Sequence, residues 1–123
     1  MKILIVEDEA GGRKLLEMML GRDHDVTAVE NVDMALEHLQ VNHWDLILTD
    51  YKMPGKTGVE LIQSLHSSGS TIPIILMTGQ SSKDDGVDQV KAMVHKVLPK
   101  PFSRKELAAV VDSLDPGHAA SGA

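Results

Sequence analysis

Residues 3–9 read Ile-Leu-Ile-Val-Glu-Asp-Glu. The four apolar residues run without a break and are mostly β-branched, which suits a strand covered on both faces, as inside a parallel sheet. Three carboxylates follow at once. A buried strand ending in a burst of charge puts that charge at the carboxyl edge of the sheet, where open parallel sheets hold their ligands.

Outward from this stretch, four more apolar runs recur: Val26 to Val29, Leu46-Ile47-Leu48, Ile74-Ile75-Leu76-Met77, and the short pair Val97-Leu98 between Lys96 and Pro99. Helical patterns fill the gaps. Leu15, Leu16, Met18, Met19 and Leu20 mark the first, Met34, Ala35, Leu36 and Leu39 the second, and Leu61, Ile62 and Leu65 the third. Val87, Val90 and Val94 mark the next. The last opens at Ser103 with Glu106 three residues on, a capping-box spacing, and runs through Leu107, Val110, Val111 and Leu114 to a stop at Asp115-Pro116-Gly117. Strand and helix alternating five times predict an α/β domain, a parallel sheet with helices on both faces. The domain is expected over 1–116, and the small-residue stretch 117–123 as a flexible tail.

Composition narrows the function. The 123 residues are 42% hydrophobic and 24% charged, which is one globular domain's worth. Aromatics are only 2%, so aliphatics and methionines must fill the interior, and Met18, Met19, Met34, Met77 and Met93 are expected there. Twelve Lys+Arg against 18 Asp+Glu leave a net charge of −6, which argues against direct binding of nucleic acid or an anionic membrane. With no cysteine there is no disulfide, thiolate metal site or cysteine nucleophile. No apolar run reaches membrane-spanning length and no signal-peptide pattern opens the chain, so a cytoplasmic location is expected.

The strand ends carry the chemistry. Strand one ends in Glu7-Asp8-Glu9, strand three in Asp50, strand four in Thr78-Gly79, and strand five in Lys100-Pro101. Singly, each has a plain reading: a cap for Asp8, a turn for Asp50, a solvated charge for Lys100. Together on one rim they form a cluster of carboxylates with a hydroxyl and a lysine. Clustered carboxylates repel one another unless a cation neutralises them. An oxygen-only donor set suits Mg²⁺. A carboxylate beside that ion can attack a phosphoryl group, and the lysine and hydroxyl can hold the remaining phosphoryl oxygens. The residues themselves suggest a metal-assisted phosphoryl acceptor.

In this order the motifs resemble a response-regulator receiver domain of two-component signalling, over residues 2–114. They are Ile-Val-Glu-Asp-Glu at 5–9, Asp-Tyr-Lys-Met-Pro-Gly-Lys-Thr-Gly at 50–58, Met-Thr-Gly at 77–79 and Lys-Pro-Phe at 100–102, with Arg13 and Trp44-Asp45 also fitting. The resemblance implies a flavodoxin-like doubly wound (βα)5 fold with strand order 2-1-3-4-5. It implies Asp50 as phosphoacceptor, Asp8 binding Mg²⁺ directly, Glu7 largely through water, and the backbone carbonyl of Lys52 as a further ligand. Thr78 would hydrogen-bond the phosphoryl group and move toward it, and Lys100 would pair with a phosphoryl oxygen. Pro101, in a peptide bond usually held cis, would aim Lys100. Met53-Pro54 and Gly58 would shape the loop after the acceptor, glycine supplying special backbone angles. Lys52 and Gln80 would flank the hydrolytic water, and Trp44 fluorescence would offer a reporter of metal binding.

The implied function is a signalling switch, not an enzyme acting on other substrates. A histidine kinase or histidine phosphotransfer protein would donate to Asp50, and a downstream protein target or a separate effector domain would read the result. A phosphatase of the haloacid dehalogenase type also uses an Asp nucleophile, but it wants a second Asp where Lys52 stands. A docking module that is never phosphorylated is a third reading, against which the intact Glu7, Asp8, Asp50, Thr78 and Lys100 argue. The sequence departs from the family at Val97, where a Tyr or Phe switch residue is usual. It departs also at Met93-Val94 in place of Gly-Ala, at Asn31 and at Lys56-Thr57. Six scattered histidines show no ligand-like pairing, and Gly11-Gly12 lacks the rest of a nucleotide fingerprint, so neither is read as a site.

Overall fold

The computed structural model describes residues 1–51, 55, 57–79 and 90–114. Five strands, β1 (Lys2–Val6), β2 (Asp25–Val29), β3 (Leu46–Asp50), β4 (Ile74–Thr78) and β5 (Lys96–Pro99), form one sheet in the order β2-β1-β3-β4-β5. Every pairing is parallel. Helices α1 (Ala10–Leu20), α2 (Val32–Val41), α3 (Gly58–Ser67) and α4 (Arg104–Leu114) cover both faces, and a 3₁₀ turn at Lys91–Met93 leads into β5. This is the doubly wound, flavodoxin-like arrangement.

The alternation of side chains along each strand sorts the core into two layers. Leu4, Val6, Ile47 and Leu76 pack with Val32 and Ala35 of α2 and Leu61, Ile62 and Leu65 of α3. Ile3, Ile5, Leu46, Leu48, Ile75 and Met77 pack on the other face with Leu16 and Leu20 of α1 and Leu107 and Val111 of α4. Both faces of β1 are therefore dry, which is why its apolar run has no polar break.

Local signals set the helix starts. Asn31 accepts from the Met34 amide at 2.8 Å and caps α2, while Thr57 accepts from the Glu60 amide at 3.4 Å and caps α3. Two departures from the family pattern thus have a local role as caps. The Ser103–Glu106 box closes reciprocally, the Glu106 amide donating to Ser103 Oγ at 3.0 Å and the Ser103 amide to Glu106 Oε1 at 3.2 Å.

Three expectations change. Met18 is 67% exposed and Met34 37% exposed, so neither fills the core. Five apolar residues in six along 15–20 give a helix pattern with no clear phase, and the sheet takes Leu16 and Leu20. The helical periodicity carried through Val94 is also overturned at its end: the chain tightens to the 3₁₀ turn, and Val94 is extended (φ −112°, ψ 154°) as it enters β5. Val87 and Asp115-Pro116-Gly117 lie outside the described residues, as does 117–123.

Candidate phosphoryl and metal site

The ladder brings the strand ends level. Val6 stands opposite Thr49, Asp50 opposite Met77, and Thr78 opposite Pro99. Glu7 continues from β1, its amide donating to the Val29 carbonyl at 3.0 Å. Lys100 follows β5, its amide donating to the Thr78 carbonyl at 2.6 Å. The Lys100–Pro101 peptide is cis.

Carboxylate oxygens of Glu7, Asp8 and Asp50 lie within 4.8 Å of one another. Lys100 Nζ sits between two of them, donating to Asp50 Oδ2 at 3.1 Å and to Glu7 Oε2 at 3.2 Å. The other Asp50 oxygen, Oδ1, accepts from the Tyr51 amide at 2.9 Å. Glu7 is only 3% exposed. Its burial, and next the charge of Asp50, push its carboxyl above the ordinary carboxylate value, and Lys100 offsets only part of this. For Lys100, burial pulls the ammonium down, but the hydrogen bonds and charges of Asp50 and Glu7 outweigh it and the net shift is upward.

Thr78 completes the arrangement. It is 1% exposed, and among the described residues its Oγ1 has no hydrogen-bond partner. A buried hydroxyl left unpaired costs free energy, so it marks a place where a ligand oxygen would be welcome. The oxygen-only donor set, the crowding of Glu7 against Asp50 and the orphan hydroxyl all fit a small hard cation with an oxyanion beside it. Glu7, Asp8 and Asp50 are the described residues able to hold that cation.

Other anticipated residues fall differently. Lys52, Gln80, Met53-Pro54 and Lys56 lie outside the described residues. Gly58 does not have a positive φ; that role in the loop belongs to Gly55, at 81°. Gly58 is glycine because a Cβ there would run into the Asp50 carbonyl. Val97 is half-buried on the edge strand. Trp44 is buried at the far edge of the sheet, its indole donating to the His38 carbonyl at 3.0 Å. The whole of β3 lies between it and Asp50, about 13 Å along the strand at the usual rise. It is therefore remote from the acid cluster, which weakens its use as a direct reporter.

Arg13 and Gly12, for which the sequence pattern assigns no contact, also meet the acidic loop. The Arg13 guanidinium donates from one nitrogen to the carbonyls of Glu7 and Asp8, both at 2.9 Å, pinning the loop that carries two of the three carboxylates. Gly12 lies directly against the Glu7 side chain. An Arg five residues after the acidic pair was a usable signal; the Gly12 contact crosses between elements and had none.

A level rim of carboxylates, one shared lysine and an unpaired buried hydroxyl thus lies at the carboxyl edge of a doubly wound sheet. The family model of the response regulator receiver domain matches residues 3–112, and the chain belongs to that family. The chain is 37% identical to the two-component response regulator PhoP of Pseudomonas aeruginosa over 115 residues, 93% of this chain and 51% of PhoP. It is 29% identical to the chemotaxis protein CheY of the same organism over 119 residues, 93% of this chain and 95% of CheY. The solved structure of the response regulator TrrA from Thermotoga maritima, in complex with Mg²⁺–BeF, is similar with a TM-score of 0.83 and 28% identity, over 93% of this chain and 98% of that one. The chain spans about half the length of its relatives PhoP, ResD and PhoB. Among the described residues no helix is long and apolar enough to cross a membrane.

Proposed function

We propose that the chain is a phosphoacceptor switch in which Asp50 takes a phosphoryl group from the phosphohistidine of a histidine kinase or histidine phosphotransfer protein. The observation that carries this reading is the double hydrogen bond of Lys100 to Asp50 and Glu7 beside the orphan Thr78 hydroxyl. An Asp50 carboxylate oxygen attacks phosphorus, the P–N bond breaks, and the imidazole leaves with the bonding pair. Lys100 then exchanges its contact with the Asp50 oxygen for one with a phosphoryl oxygen, and the Thr78 hydroxyl donates to another. Mg²⁺ held by Glu7, Asp8, Asp50 and the Lys52 carbonyl would neutralise the carboxylates and draw charge from the phosphoryl oxygens. The Mg²⁺–BeF complex of TrrA supports this assignment.

The domain extends over 1–116 with 117–123 as its tail. It works in the cytoplasm, turns over only its own acyl phosphate, slowly, and passes its state to a downstream protein target or an effector domain. Neither nucleic acid nor membrane is a direct partner. Incubation with phosphoramidate and Mg²⁺, followed by intact mass and peptide mapping, tests the reading. A single phosphoryl group on Asp50 is expected, with Asp50→Asn lowering uptake by roughly 100-fold or more, in line with the loss of a nucleophile. Undiminished labelling of Asp50→Asn would overturn it.

A further inference from the structure

Glu7 leans on a residue that has no side chain. A Cβ built at Gly12, in the first turn of α1, would stand 3.1 Å from Glu7 Cγ, 3.2 Å from Cδ and 3.3 Å from Oε1. Those separations are tighter than ordinary van der Waals contact. Glu7 cannot yield freely, because its Oε2 accepts from Lys100 and its backbone carbonyl is held by Arg13. Gly11, one residue earlier in the same turn, has nothing within 4 Å of where its Cβ would be. Helix propensity alone disfavours glycine at both places. Of the two, only at Gly12 would a Cβ press on a neighbouring side chain.

We infer that Gly12 is a positioning residue for the cation site: its missing Cβ lets the Glu7 carboxylate stand where it shares a ligand with Asp8 and Asp50. The inference rests on the Mg²⁺ reading above. Gly12 touches no reacting atom and acts through Glu7 alone. A displacement of a few tenths of an ångström is enough to matter, since residues that orient metal ligands change affinity by about 10–100-fold when altered.

The adjacent glycines supply their own control. Gly11→Ala gains helix propensity with open space around its Cβ and should not lower the melting temperature of the metal-free protein, whereas Gly12→Ala sets the same gain against its contact with Glu7. Mg²⁺ titrated calorimetrically should bind Gly12→Ala about tenfold more weakly than wild type, about 1.4 kcal/mol, and Gly11→Ala unchanged. Glu7→Asp, one methylene shorter, should cost affinity in the wild-type background and cost less, or nothing, when combined with Gly12→Ala. In the metal-free protein the Glu7 side-chain carboxyl ¹³C resonance should move in Gly12→Ala and stay in Gly11→Ala. Equal Mg²⁺ affinity and an unmoved Glu7 resonance in Gly12→Ala would overturn the inference. A wild-type chain that binds no Mg²⁺ would instead overturn the metal reading, and the carboxyl resonance would still decide where Gly12 holds Glu7.

Discussion

Glu7 is a carboxylate with almost no water around it and a second carboxylate, Asp50, alongside. Lys100 bridges the two at 3.2 and 3.1 Å, yet burial and the Asp50 charge still hold the Glu7 carboxyl above its ordinary 4.5. A carboxyl with a raised folded-state pKa favours folding while protonated. Its contribution is fully present below the ordinary value and is lost as pH rises through the raised one. Lys100, raised above 10.5, favours folding throughout the neutral range and loses that contribution only as pH rises through its raised value. The metal-free protein should therefore lose stability through Glu7 as pH climbs from the ordinary carboxylate range toward neutrality. Glu7→Gln, which cannot ionise, should raise the urea midpoint at pH 7 in EDTA and leave it close to wild type at pH 4. A wild-type excess at pH 7 would mean that the Lys100 contacts outweigh burial and repulsion. On the proposed Mg²⁺ reading, the residue that would help to hold the cation is thus a destabilised one without it, which is how a ligand gains the power to stabilise one state over another.

At the scale of elements, α3 is docked by its first residue. The Gly58 amide donates to the Tyr51 carbonyl at 3.0 Å, and no room for a Cβ remains against the Asp50 carbonyl. Gly58→Ala should destabilise the fold by about 1–3 kcal/mol, as overpacking does. Gly79→Ala, at an exposed residue with open space around its Cβ position, should stay within about 0.5 kcal/mol. Urea denaturation of the two variants side by side checks the contrast, and equal losses would remove the steric argument. The same contrast marks what a sequence can disclose. The strand ends that carry Glu7, Asp50, Thr78 and Lys100 were legible because a strand is a local pattern and a parallel sheet aligns its ends. The Ser103–Glu106 box was legible because its partners are three residues apart. Gly12 and Gly58 were not, because each is glycine on account of an atom in another element. Met18 and Met34 were misplaced because a crowded apolar stripe does not disclose which of its edges meets the sheet. Trp44 read as close to strand three, which is true, but its distance from Asp50 depends on lying at the opposite end of that strand.

For the molecule as a whole, the proposed switch raises the question of how a phosphoryl group on Asp50 would act on a distant surface. Val97 stands opposite Leu76 on edge strand β5, and the neighbouring Leu98 belongs to the layer packed with α1 and α4. Alternation turns Val97 to the other face, where it is half-buried. A valine there is nearly locked at χ1 and carries no polar tip, so it has no second buried-or-exposed state to offer. Coupling needs two arrangements whose free energies the ligand separates. Addition of Mg²⁺ and fluoroberyllate should therefore move amide resonances at Asp50, Thr78 and Lys100 while changing Val97 and α4 little. Val97→Tyr supplies a ring with both an apolar body and a hydroxyl, able to swing toward or away from Thr78. In that variant the fluoroberyllate-induced changes in β5 and α4 should grow severalfold, with Mg²⁺ affinity unchanged, because the acid cluster itself is untouched. Wild-type changes already large along α4 would mean that β5 transmits the signal through its backbone, Lys100 to Thr78 across the ladder, and that no swinging side chain is required.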